Sequence, residues 1–201
     1  MLDTLRVHGI GAVRFVSREN RLCSVEKAVA QMSLTHHEFW TLVHGMVFGA
    51  VFLLGFTGGL EGLWSLRPHQ MTPEGVRGKA LRLKIGVTAM AIAAWGTVLT
   101  GTWVVYPWYR EAVPDSPRSI LLADPATAEW HHFGMEWKEH VAWLSPILAT
   151  TVAFIVLYYG ASLIRHDRLR KTSLVLFVLA FVFAAVAGLF GALITKTAPL
   201  V

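Results

Sequence analysis

Cysteine is nearly absent: Cys23 is the only one in 201 residues. A single thiol excludes an intrachain disulfide framework, a cysteine-rich zinc site and the Cys-x-x-Cys-His attachment of a c-type haem. Any redox metal must therefore be held by other ligands. Charge is scarce too, with Asp, Glu, Lys and Arg at 15% of residues against about 25% in a soluble domain. Glycine-rich phosphate loops, Walker sequences and hydrolase elbows are missing, as is any nucleic-acid motif, which argues against soluble-enzyme chemistry. What the chain has is apolar length, with 54% of residues hydrophobic and a mean hydropathy of +0.50. That excludes disorder and leaves no room for a separate large soluble domain.

Stretches free of Asp, Glu, Lys and Arg run Phe39 to Leu60, Ile85 to Tyr109, Val141 to Ile164 and Thr172 to Thr195, which are 22, 25, 24 and 24 residues. Each exceeds the roughly 20 residues that carry a helix across a bilayer. Helix is the physical choice in lipid, where each backbone amide must be paired within its own segment. The expected fold is all-α, an integral membrane four-helix bundle. Interfacial aromatics fit it, with Trp103, Tyr106, Trp108 and Tyr109 closing the second stretch and Trp130, Trp137 and Trp143 around the start of the third.

The net charge of +5 and pI near 9.7 report topology in such a chain rather than nucleic acid. The connections after the first and third stretches carry Arg67, Arg77, Lys79, Arg82, Lys84, Arg165, Arg168, Arg170 and Lys171, against Glu61, Glu74 and Asp167. The connection between the second and third is acidic, with Arg110, Arg118 and Lys138 beside Glu111, Asp115, Asp124, Glu129, Glu136 and Glu139. Short basic loops stay cytoplasmic. The expected location is the bacterial inner membrane, with the starts of stretches one and three facing the periplasm.

Residues 1–31 carry five Lys and Arg and no signal peptide. Met32 stands directly before the first stretch, so translation is expected to begin there, with 32–201 as the membrane domain. The competing reading is a surface amphipathic helix from about Ser24 to Met32.

Nine histidines are unevenly placed. His36, His37 and His44 open the first stretch, and His131, His132 and His140 open the third, a pattern that suggests two related helical hairpins. In an α-helix, seven residues bring His37 within about 20° of His44, roughly 10 Å along the axis. His132 is about 80° from His140 and His131 about 180° away, so His132 is the expected inward residue. Stretches one and three run parallel, which gathers these imidazoles at one end. Histidines on two helices at matched depth can supply both axial ligands of a haem. The expectation is one haem b between His44 and His140, with a second site between His37 and His132. His8, His69 and His166 are in terminal or loop segments and read as solvated.

Around this cluster, Arg110 is at the depth where haem propionates would emerge, and Lys138 is its alternative. Gly45, Gly49, Gly55, Gly58, Gly59, Gly96 and Gly101 would admit a flat macrocycle or another helix, and Gly45-x-x-x-Gly49 is an association motif. Glu129 to His132 has the Glu-x-x-His spacing of di-iron bundles, and Glu136 is one turn from His140. A dinuclear iron or copper site is thus a second metal reading, although the first stretch offers only Glu38.

Over His36 to Thr195, with His44, His140, His37 and His132, the chain resembles the quinone-linked membrane cytochromes b, in which a four-helix bundle carries haem between histidines. It departs from those that stack two haems across the bilayer, because stretches two and four have no histidine. The resemblance implies a b-type cytochrome passing electrons between the quinone pool and a periplasmic partner such as cytochrome c. It equally implies a membrane anchor working with other respiratory complex subunits. The alternative from another class is a non-redox structural subunit.

Overall fold

The computed structural model describes residues 34–67 and 72–198. The start at Met32 and the helix from Ser24 to Met32 lie outside them. Among the described residues all regular structure is helical. Four helices are long and apolar enough to cross a bilayer: span one, His36–Ser65; span two, Glu74–Tyr109; span three, Pro125–Arg165; and span four, Asp167–Thr197. A short loop helix, Pro117–Ala123, lies between spans two and three. The protein is an all-α, multi-pass membrane bundle.

Each helix outruns its uncharged stretch, because local signals past the apolar run set its ends. The Thr72 side chain accepts the Gly75 amide at 3.2 Å and starts span two. Ser116 does the same for Ser119 at 3.2 Å, and Asp124 for Ala126 at 2.9 Å. Span three therefore begins far ahead of Val141, and Glu129, Glu136, Lys138 and Glu139 are helical. It breaks at Gly160, whose φ of 51° suits glycine, and a 3-10 turn leads to span four.

Neighbours in sequence pack side by side, and span four closes the ring against span one. Spans one and three are thus diagonal. Spans one and two approach at glycines: a Cβ on Gly55 would stand 2.7 Å from the Met90 nitrogen, and one on Gly86 would stand 2.8 Å from the Gly59 nitrogen. Such close backbone contact is how membrane helices gain packing when lipid is as apolar as the core. Gly45 and Gly49, the association motif expected from sequence, have open space beyond them instead. Phe56 stacks on Phe181 with centroids 4.1 Å apart, joining spans one and four.

The main core includes Leu63, Leu83, Val87, Met90, Val152 and Phe177, all essentially inaccessible. At the opposite end a second cluster forms where the loop helix folds back, with Leu121 against Tyr109, Met135, Ile194 and Ala198. Leu53, Leu54, Ile85, Ile92, Phe154 and Leu189 point outward and exposed, the apolar exterior a bilayer solvates.

Candidate functional site: the histidine end of the bundle

Six of the nine histidines are at the end where spans one and three begin. Four π-helical segments are also there: Val43–Val47, Gly101–Val105, Trp130–Met135 and Trp137–Val141. A turn closed by i→i+5 bonds takes an extra residue and rotates everything beyond it relative to an α-helix, and such turns recur at functional sites. His44, His131, His132 and His140 all lie within them.

His44 Nδ1 is 3.2 Å from Thr100 Oγ1 in span two. The Thr100 hydroxyl donates to the Gly96 carbonyl at 2.7 Å, so its oxygen accepts from His44 Nδ1–H and the imidazole lone pair is on Nε2. Gly101 makes room for the ring, since a Cβ there would stand 2.8 Å from His44 Cε1. His37 stacks on Trp108 with centroids 5.2 Å apart and planes at 16°. His37 and His44 thus share a face, as helical spacing implies. The helix they meet is adjacent span two rather than diagonal span three.

In span three the structure reverses one expectation. His131 is buried, 8% exposed, while His132 is exposed. His131 Nδ1 is 2.8 Å from the Tyr109 hydroxyl, tying span three to the end of span two. The angle is counted from His140, which itself faces outward, and the π turns at Trp130–Met135 and Trp137–Val141 turn less than 100° per residue, so the α-helical count does not carry through this stretch. His140 Nδ1 is 3.1 Å from the Glu136 carbonyl and 3.2 Å from its carboxylate. It also presents Nε2 as the lone-pair nitrogen, on a side chain 70% exposed.

The cations divide. Arg110 is 3.4 Å from Glu139 and its guanidinium is 4.9 Å from the Tyr106 ring centroid, so its charge is engaged within the protein. Lys138 instead turns inward, and a Cβ on Gly191 of span four would stand 3.2 Å from its Nζ.

Among the described residues, no group of three or more His, Cys, Asp and Glu converges to hold a metal ion, so the dinuclear reading finds no ready-made ligand set. Shallow cavities of about 470 and 210 Å³, one by Thr57 and Trp64 and one by Arg77 and Lys84, lie at the other end and touch no histidine.

For a haem, the donor chemistry fits. A ligating histidine commonly anchors one nitrogen by donating its N–H to a neighbour, leaving the other nitrogen for the metal. His44 and His140 both do this, through Thr100 and Glu136. His44 is partly buried between spans one and two, whereas His140 is on the open side of span three.

Sequence reasoning passed over Thr100 and Tyr109. Thr100 had a depth signal, since His44 is eight residues past the start of span one and Thr100 nine before the end of span two. Tyr109 had been assigned to the interface by its aromatic neighbours.

No known protein family, curated protein or solved structure matches this chain.

Proposed function

We propose that this protein is a small membrane b-type cytochrome that moves electrons between the quinone pool and a partner on the outer side of a bacterial inner membrane. It acts alone toward a cytochrome c, or as the membrane anchor of a larger respiratory oxidoreductase. The observation that carries the reading is His44, an intramembrane imidazole whose Nδ1–H is fixed by Thr100 and whose Nε2 bears the lone pair. Ionisable groups at such depth are costly and mark functional sites.

His44 and His140 would hold the haem, which when bound supplies a one-electron carrier whose potential follows its ligands and surroundings. Thr100 sets the His44 tautomer and Glu136 that of His140. Glu136 is also an exposed carboxylate at the outer interface, placed to accept a proton from a quinol. Inward of His44, Phe48, Phe52 and Phe56 keep water from the middle of the bundle. The basic inner loops and acidic outer loop support an orientation with the histidine end outside.

The test is a reduced-minus-oxidised optical spectrum of detergent-purified protein, with pyridine haemochrome quantification, on wild type, His44→Ala and His140→Ala. A b-type signal lost in both variants is the expected result. A folded wild type that stays colourless after expression with ample haem overturns the proposal. The outward ring of His140 favours a second reading, a non-redox structural subunit of a membrane complex, and that colourless result is what it requires.

A further inference from the structure

The cavity of about 210 Å³ between span two and the 3-10 turn that ends span three is lined by Arg77, Ala80, Leu81, Lys84 and Ala161. Two of these side chains are cations and none is a carboxylate. Arg77, Leu81 and Lys84 recur in steps of three or four residues, so one face of span two carries all three. From Arg77 to Lys84 is seven residues, about 20° around the helix and roughly 10 Å along it. Across the cavity, span three breaks at Gly160. A Cβ there would stand 3.2 Å from Lys84 Nζ and 3.4 Å from its Cε, so the end of the lysine lies against bare backbone at the break.

Other cations at this end of the bundle are engaged within the protein. Lys79 is 3.7 Å from Glu61, Arg170 and Lys171 are 2.6 and 2.7 Å from Asp167, and the Arg67 guanidinium is 5.2 Å from the Trp64 ring centroid. Among the described residues Arg77 and Lys84 have neither an ion pair nor a hydrogen bond, although Glu74 is one turn before Arg77. Two cations thus face one cavity with no anion of the protein to balance them. Lys84 is the last charge before the uncharged run that starts at Ile85, which sets the cavity at the water boundary of the bilayer, the depth of phospholipid headgroups. Leu81 of its wall is exposed, and the exposed Ile85 and Ile92 continue that surface toward the bilayer centre. The larger cavity at this end, by Thr57 and Trp64, is lined by Glu61 and no cation, so it does not suit an anion.

We propose that this cavity binds the phosphate of an anionic phospholipid between Arg77 and Lys84, with an acyl chain along Leu81, Ile85 and Ile92. A zwitterionic lipid brings a cation of its own to the headgroup, whereas an anionic one leaves its negative charge for the two side chains, and this difference is the basis of selection. The apolar row leading from the cavity favours a lipid over a free anion. The site is at the end away from the histidine cluster, so it depends neither on the haem reading nor on which side of the membrane faces the cytoplasm.

The full chain is exchanged into phosphatidylcholine nanodiscs with and without phosphatidylglycerol, released into detergent, and its retained lipid counted by native mass spectrometry. Wild type is expected to keep one phosphatidylglycerol in preference to phosphatidylcholine. Lys84→Gln and Arg77→Gln each lower that preference about tenfold or more, the scale of one charge-assisted hydrogen bond. Arg82→Gln removes an exposed charge about 160° around span two from Lys84 and leaves the preference as it is. Ala161→Phe fills the cavity, spares both cations and loses the lipid. Should a Gln variant fail to fold, Ala161→Phe carries the same test. An Arg82→Gln loss as large as that of Lys84→Gln would reduce the effect to diffuse surface charge and overturn the proposal. So would wild-type retention by Ala161→Phe, or equal retention of the two lipids by wild type. Inorganic phosphate separates the sources of the anion: if it raises the thermal midpoint of delipidated wild type but not of Lys84→Gln, and wild type shows no lipid preference, the cavity takes a free anion and the lipid proposal falls.

Discussion

Arg170 counts in sequence among nine basic residues of the connections after spans one and three, yet its side chain is not in solvent. It is 7% exposed, and its guanidinium donates to the Leu63 carbonyl at 2.8 Å and to Asp167 at 2.6 Å. Leu63 is in the last turn of span one, where carbonyls lack intrahelical donors and a cation complements the helix dipole. Span four thus caps span one. Arg170→Met keeps the length of the side chain and leaves the carbonyl bare, so it is expected to cost about 2 kcal/mol. Arg170→Lys should recover part of this. SDS-induced unfolding in mixed micelles reads both, and wild-type stability of the Met variant would remove Arg170 from the packing scheme. Lys138 teaches the same lesson at the other end. A charge count gives the sign of a loop but not which of its members turns inward.

At the scale of helices, glycine and the π turn do most of the positioning. Gly55 and Gly86 let spans one and two approach to backbone contact, and a side chain at either meets main chain, which cannot rotate away. Gly86→Leu is therefore expected to destabilise by roughly 3 kcal/mol, as overpacking does. Gly58→Leu, on an open face of span one, should be nearly neutral under the same assay. Comparable losses for the two would show that the one-two interface is looser than described. The π segments explain why the helical arithmetic holds in span one and fails in span three. His37 and His44 still reach one neighbour, whereas two π turns lie between His131 and His140 in span three, where α-helical angles no longer apply and His131 is the buried ring. The tyrosine at the end of span two then takes the buried ring.

For the whole molecule, the orientation in the membrane is the quantity to test. The proposed orientation puts the basic loops inside and the acidic connection between spans two and three outside. In a Cys23→Ser background, a membrane-impermeant thiol reagent added to intact cells should label Ala112→Cys and spare Arg168→Cys, with both labelled after lysis. The opposite pattern would place the histidine end in the cytoplasm and exclude a periplasmic electron partner. The closed ring of spans also matters for the haem proposal, because spans one and three are diagonal. His44 and His140 therefore belong to helices that do not pack side by side, which makes their separate loss in the spectroscopic experiment informative.

Composition and uncharged run length alone determined the all-α membrane fold, because a chain in lipid has few ways to pair its backbone. They also placed His36, His37, His44, His131, His132 and His140 together at one end, since alternating spans leave no other arrangement. Tertiary structure decided which polar groups face inward: His131 instead of His132, Lys138 instead of Arg110, and Thr100 as the anchor of His44. These choices depend on π turns, on glycine contacts and on partners more than fifty residues away in sequence for His44 and Arg170. None of these leaves a local periodic signal, so the face each side chain takes is settled only when the helices pack.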